Sequence, residues 1–171
     1  MIIRQEKPED YEAIRVLLCT AFEGDGEARL VEALRDSAEY IPDLSLVAEE
    51  EGALMGHILL SRIEIETPRG AVPALALAPL SVSPKFQHQG IGTALTKAGI
   101  AACQSRPECC VVVLGNPAYY PKFGFESAAH YDIRAPWDVP VEAFMVLPIR
   151  EGSLSGVSGI VRYSSAFDAA L

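Results

Sequence analysis

Residues 87–93 carry the pattern in this chain that is best suited to chemistry, Gln-x-x-Gly-x-Gly followed by Thr. The pattern comes directly after the apolar run 74–82 and opens a stretch with helical spacing. Backbone N–H groups in a glycine turn and in the first helical turn lack intrahelical partners, and the helix dipole adds positive potential there. The pattern therefore predicts a site for a phosphate or pyrophosphate group.

The charges around this segment favour the same interpretation. No Asp or Glu occurs in residues 67–107, although the whole chain has a formal net charge of −9. The same stretch contains positive side chains, namely Arg69, Lys85, Lys97 and Arg106. An acidic protein that keeps carboxylates out of one segment is expected to hold a polyanion there.

Two common nucleotide-binding motifs do not fit the same segment. A dinucleotide loop would have a third glycine where Leu95 stands, and an acidic residue where Val112 stands. The Gly-x-x-x-x-Gly-Lys-[Ser/Thr] pattern of a P-loop is missing from the sequence. A glycine turn before an ordinary helix is the alternative reading of so short a pattern.

A second pattern, in residues 115–125, follows the short β-branched run 110–114. Asn116 is a good N-cap, and Pro117 suits the first position of a helix. Gly124 suits a left-handed exit from that helix. We therefore expect one or two helical turns over residues 117–123.

Together the two patterns resemble the GNAT acyltransferase superfamily. The pattern at 87–92 is similar to the pyrophosphate loop of these enzymes, [Gln/Arg]-x-x-Gly-x-[Gly/Ala]. The ending Tyr120-x-x-x-Gly124-Phe125 resembles the Tyr-x-x-x-Gly-Phe motif that follows their fifth strand. The two motifs occur in the family's order, with a helix and a strand between them, and the resemblance is clearest over residues 75–125.

The resemblance implies a fold and a cosubstrate. The expected fold is α/β (α+β), a single domain over residues 1–171 with a mixed sheet of about seven strands, a splayed parallel pair and about four flanking helices. The expected cosubstrate is acetyl-CoA, with no metal. The residues that the resemblance assigns to coenzyme A are Leu80, Ser81, Val82, Gln87, His88, Gln89, Gly90, Ile91, Gly92, Thr93 and Asn116. Because Asn116 lies only four residues before Tyr120, helix capping is the alternative role for it.

The family motif also selects the catalytic tyrosine. Neighbouring helical residues point about 100° apart, so Tyr119 and Tyr120 cannot both face a thioester. The motif assigns Tyr120 as the general acid that protonates the departing thiolate. No convincing general base is visible, because His57 fits a satisfied histidine better than a base, and Glu64 and Glu66 fit a solvated strand face better.

Pro79 lies inside the apolar run 74–82, where a proline cannot donate to a sheet ladder. A bulge there would bend the strand away from a parallel neighbour at 110–114 and leave backbone groups at Leu80, Ser81 and Val82 for an extended ligand. The alternative is that Pro79 ends a shorter strand.

The rest of the chain supplies the elements that position these residues. Apolar spacing predicts strands at residues 1–5, 44–49, 53–66, 74–82, 110–114, 144–149 and 156–163, and helices at 8–21, 26–37 and 89–104. The four cysteines fit no metal or disulfide spacing and are expected to be small buried side chains.

The resemblance implies transfer of an acetyl group to a primary amine of a small molecule or peptide. A non-catalytic acyl-CoA-binding regulatory module is the alternative, since no base is evident. The net charge of −9 opposes nucleic acid as a partner. No apolar stretch approaches the roughly 20 residues of a membrane span, and no signal peptide is visible, which predicts a cytoplasmic protein without a membrane partner. Assembly as a homodimer is left open.

Overall fold

The structure, a computed structural model, describes residues 1–170, which contain nine β-strands, three α-helices and several short 3-10 helices. The strands are Ile2–Gln5 (β1), Ser45–Glu50 (β2), Ala53–Thr67 (β3), Gly70–Val82 (β4), Cys110–Leu114 (β5), Glu126–Ser127 (β6), Ile133–Arg134 (β7), Phe144–Pro148 (β8) and Gly159–Arg162 (β9). The α-helices are Tyr11–Ala21 (α1), Gly26–Arg35 (α2) and Ile91–Cys103 (α3).

The expected fold class is confirmed, because the strands form a mixed sheet that includes the parallel pair β4 and β5. The sheet has nine strands where about seven were expected. The two additional strands, β6 and β7, have two residues each and are too short to show a period in the sequence. The helix expected at 117–123 is reduced to the 3-10 helix Tyr120–Phe123.

The described residues divide into two compact units. The first consists of residues 1–61, 78–103 and the segment from Ser165 onward. In it, β2 pairs antiparallel with both β1 and β3, and α1 and α2 form part of the core. The apolar residues of these helices recur at helical spacing, so each helix has one face to bury, and the core contains Ile14, Leu18, Val31, Leu34 and Val47. Full burial of one such side chain contributes about 1.5–3 kcal/mol.

The second unit consists of residues 62–77 and 104–164. Its strand β5 pairs parallel with β4 and antiparallel with β8. Residues 110–113 of β5 are all buried, which explains why this strand is apolar throughout. The expectation of one domain over residues 1–171 stays a prediction, and residue 171 lies outside the described residues.

Strand β4 continues unbroken through Pro79 to Val82, and its Ala78–Pro79 peptide bond is cis. The alternative that Pro79 ends a shorter strand is therefore wrong. Within residues 1–170, the parallel ladder between β4 and β5 pairs Leu75 with Val111 and Ala76 with Val112 and goes no further.

Among residues 1–170 no disulfide joins the four cysteines. Cys103, Cys109 and Cys110 are buried, and Cys19 is half-buried. The same residues contain no group of three side chains that could hold a metal ion. None of the helices in this part of the chain is both long and apolar enough to cross a bilayer.

Candidate functional site

The expected phosphate-binding segment lies between β4 and α3. A one-turn 3-10 helix covers Pro84–Phe86, and α3 begins at Ile91. The carbonyl of Gly90 accepts a hydrogen bond from the N–H of Ala94 at 3.0 Å, so helical hydrogen bonding starts at Gly90. The exposed residues of the segment are Gln87, His88, Gln89 and Gly90, the half-buried ones are Gly92 and Thr93, and Ile91 is buried.

The backbone of this segment is left-handed at two positions. His88 has a φ of 63° and Gly90 a φ of 83°, and glycine adopts such angles without steric cost. A Cβ atom built on Gly90 would meet no heavy atom within 4 Å, so the protein leaves that face of the loop open. An exposed loop at the N-terminus of a 13-residue helix, with no acidic residue nearby in sequence, fits the pyrophosphate of coenzyme A.

The end of β4 and the residue after it are held to β3 by hydrogen bonds. Ser81 is buried, and its hydroxyl donates a hydrogen bond of 3.4 Å to the carbonyl of His57. Just beyond the strand, the N–H of Ser83 donates to the carbonyl of Met55 at 2.8 Å. Leu80 and Val82 on either side of Ser81 are half-buried.

Tyr120 is held tightly by its neighbours. It is 9% exposed, and its ring makes edge contacts with Tyr119 and Phe125 at centroid distances of 5.0 and 5.6 Å. A Cβ atom on Gly115 would lie 2.5 Å from Cε2 of Tyr120, so the ring lies against a backbone that only glycine leaves open. Tyr119 is half-buried, and the ammonium of Lys122 lies 4.1 Å from its ring centroid. Tyr120 is thus the more enclosed tyrosine of the pair.

The surroundings of Tyr120 raise the pKa of its hydroxyl. Burial, and to a smaller extent Tyr119, raises the pKa of Tyr120 to about 12. A phenol in this environment retains its proton at neutral pH and can donate it.

Asn116 shapes the turn before Tyr120. Its side-chain oxygen accepts a hydrogen bond from the N–H of Ala118 at 2.8 Å, and its carbonyl accepts the N–H of Tyr119 at 3.0 Å. The side chain thus fixes the turn, in line with the capping alternative, although the helix that follows is a 3-10 helix of four residues. Gly124 ends that helix with a φ of 101°, as its position in the motif leads us to expect.

The three candidate bases are Glu66 and Glu64, which are exposed on β3, and His57, which is buried. Glu66 is exposed and accepts a hydrogen bond from Nε of Arg162 at 2.6 Å. Glu64 is also exposed and faces Arg162 in the β3–β9 register. His57 is fully buried, with its Nε2 atom 3.1 Å from the Ser45 hydroxyl.

His57 belongs to a buried polar network centred on Glu6. The Glu6 carboxylate accepts hydrogen bonds from Arg35 at 2.8 Å and Tyr40 at 2.9 Å, and also contacts Ser45 and His57. Burial acts to raise the pKa of Glu6, but the hydrogen bonds from His57, Arg35 and Ser45 outweigh it and hold this pKa well below its usual range. Burial also lowers the pKa of His57, against the opposing effect of Glu6. Sequence reasoning missed this network because its members are spread over residues 6–57 without a local pattern.

Comparison with known proteins places these features in a family. The model of the acetyltransferase (GNAT) domain matches residues 2–128. An N-acetyltransferase of Escherichia coli K12 named YhbS, described as uncharacterised, is 37% identical over 169 residues, which cover 98% of this chain and 99% of that protein.

Two solved structures agree over nearly the whole chain. The crystal structure of Escherichia coli YhbS in complex with CoA has a TM-score of 0.89 at 35% identity and covers 98% of this chain and 91% of that chain. A GNAT acetyltransferase from Brucella melitensis in complex with acetyl-CoA has a TM-score of 0.79 at 31% identity, and 98% of this chain and 97% of that chain are covered. The chain belongs to the GNAT family of N-acetyltransferases.

Proposed function

We propose that this chain transfers the acetyl group of acetyl-CoA to a primary amine of a small molecule or peptide. The observation that carries the proposal is the exposed, left-handed glycine loop at the N-terminus of α3. The thioester of acetyl-CoA supplies an activated acetyl group. The residues proposed to hold coenzyme A are Leu80, Ser81, Val82, Gln87, His88, Gln89, Gly90, Ile91, Gly92, Thr93 and Asn116.

The loop 87–93 has the main binding role. Its backbone N–H groups donate to the pyrophosphate, and the dipole of α3 adds to the attraction. The open face of Gly90 lets the diphosphate approach the backbone closely. Within β4, Leu80, Ser81 and Val82 are proposed to act through backbone groups, since the Ser81 hydroxyl already donates to His57.

Tyr120 has the catalytic role in this proposal. Its hydroxyl, which is protonated at neutral pH, donates a proton to the departing sulfur. A backbone N–H in residues 80–82 polarises the carbonyl that the amine attacks. Asn116 retains its amide NH₂ group for coenzyme A, because only its oxygen is used in the turn.

The net charge of the chain indicates which kind of acceptor it favours. A net charge of −9 favours a cationic amine and disfavours nucleic acid as a partner. A cytoplasmic location and a homodimer, both considered from the sequence, stay predictions.

Thermal unfolding with acetyl-CoA tests the binding step. A ligand at 100 times its Kd stabilises the native state by about 2.7 kcal/mol, which raises the Tm of a chain this long by roughly 5–10 °C. We expect Gly90→Glu to abolish that rise, because it directs a carboxylate at the pyrophosphate. The matched control is Gly52→Glu, since Gly52 has a φ of 81° and an equally open Cβ position in the β2–β3 turn. A folded Gly90→Glu protein with an unchanged shift would contradict the assignment.

A screen of amines for acetyl-CoA-dependent thiol release tests the chemical step. Release with an amine, and none without it, supports acetyl transfer. A normal thermal shift with no release from any amine would favour the regulatory, acyl-CoA-binding alternative.

A further inference from the structure

The second unit contains a cavity of about 220 Å³ beside β8. Three buried apolar side chains, Ala128, Ile133 and Phe144, contribute to its lining. Trp137 and Val141 also line it, yet they are 44% and 63% exposed. Large apolar side chains that surround a cavity while facing solvent are a feature of ligand-binding surfaces.

Two opposite charges border the same cavity. Arg134 and Asp138 both line it, and both are exposed. In the part of the chain that the structure describes, neither side chain forms an ion pair. The cavity therefore offers one cation, one anion and an apolar surface to a ligand.

The groups around the cavity are held in place by their neighbours. The indole of Trp137 stacks on the ring of Tyr163, with a centroid distance of 4.7 Å and an interplanar angle of 29°. Arg134 lies in β7, where its register partner is Ile160 of β9. The carbonyl of Ala143, next to the lining residue Phe144, accepts the N–H of Gly115 at 2.9 Å. A ligand would thus meet an ordered surface, which lowers the entropic cost of binding.

We propose that this cavity binds a free α-amino acid with an apolar side chain. The guanidinium of Arg134 pairs with the ligand carboxylate, and Asp138 pairs with its ammonium group. The side chain of the ligand packs against Trp137 and the buried apolar lining. The volume of about 220 Å³ is below the range of drug-sized sites, roughly 300–1,000 Å³, and suits a single amino acid. The site goes beyond acetyl transfer and rests on residues of the second unit alone.

Trp137 allows a direct test, because it is the only tryptophan of the chain. The probes are L-leucine, L-leucinamide, which lacks the carboxylate charge, and 4-methylpentanoate, which lacks the ammonium group. We expect L-leucine to change the Trp137 emission saturably, and each of the other two to bind about tenfold more weakly or worse, since each loses one charge-assisted contact. Calorimetry with the same probes measures binding independently of the emission. No saturable binding of L-leucine by either method, or equal binding of L-leucinamide, overturns the proposal.

Two variants test whether Arg134 binds the carboxylate of the ligand and Asp138 its ammonium group. Arg134→Gln should bind L-leucine and L-leucinamide equally, and Asp138→Asn should lose the preference for L-leucine over 4-methylpentanoate. Arg162→Gln is the matched control, because Arg162 is an exposed arginine on β9 that does not line the cavity. Preferences that persist in both cavity variants overturn the proposal. The acetyl-CoA thermal shift, measured on the same proteins, reports separately on the proposed acetyl transfer.

Discussion

The contact between Gly115 and Tyr120 predicts that a single methyl group will impair catalysis. In Gly115→Ala, the new Cβ would lie 2.5 Å from Cε2 and 3.1 Å from Cδ2 of the Tyr120 ring. Carbon atoms in ordinary contact are about 3.5–4.0 Å apart, so the ring must move by about 1 Å or more. The backbone of Gly115 does not have a positive φ, so the effect of the alanine comes from the ring and not from backbone strain.

A displacement of this size is expected to lower the rate of the step in which Tyr120 acts as the general acid. Moving a catalytic group by 1 Å can cost about 10²-fold in rate, and general acid catalysis itself contributes about 10²–10⁴-fold. We therefore expect Gly115→Ala to lower kcat for thiol release by about 10²-fold with an amine found in the screen. The affinity for acetyl-CoA, measured by thermal shift, should stay nearly unchanged.

A double variant shows whether the effect passes through Tyr120. If it does, Gly115→Ala combined with Tyr120→Phe should be no slower than Tyr120→Phe alone, because both changes remove the same interaction. Gly99→Ala is the control for loss of stability, since its Cβ would lie 3.0 Å from Cδ1 of Leu60. A Gly115→Ala protein with normal turnover, or one whose loss multiplies with that of Tyr120→Phe, refutes the reasoning.

The other predictions concern the tyrosine pair and the buried network. Tyr120→Phe should lower kcat about 10²-fold or more with little change in acetyl-CoA affinity, whereas Tyr119→Phe should have little effect on either. If steady-state kinetics show Tyr119→Phe to be the more harmful change, the assignment of the acid is wrong. Glu6→Gln should cost about 3 kcal/mol in the free energy of unfolding at pH 7, because Arg35 would lose its buried partner. Since the folded pKa of Glu6 is depressed, its stabilisation is present above the ordinary value of 4.5 and is lost as the pH falls below it, so denaturation curves of the two proteins should converge in acid.

Elements with a strong local signal were predictable from the sequence. Strand β5 occupies the five residues of the β-branched run 110–114, and α1 follows the apolar spacing after Pro8. Gly90 in the loop 87–93 and Gly124 both have the positive φ that their positions require. In these places one residue type or one period decides the local conformation, without help from distant contacts.

Features that depend on distant contacts were not predictable. The Glu6 network joins residues up to 51 positions apart, and nothing near Glu6 in sequence indicates that its carboxylate is buried. The cavity near Trp137 is lined in part by Ile133 and Arg134, which form β7, a strand of only two residues. The helix at 117–123 was overpredicted because it contains Pro121, which has no N–H to donate to the carbonyl of Pro117, and only the 3-10 helix Tyr120–Phe123 forms.

The burial of the cysteines has a practical consequence for measurement. Thiol-reactive dyes that detect released coenzyme A also modify accessible protein thiols, and only thiolates at accessible positions react quickly. Cys103, Cys109 and Cys110 are buried, which leaves the half-buried Cys19 as the main source of background in the native protein. We expect native enzyme to give a small, constant dye signal that a Cys19→Ser variant reduces. Denatured enzyme should expose all four cysteines, so a rising background during an assay would report unfolding and not turnover.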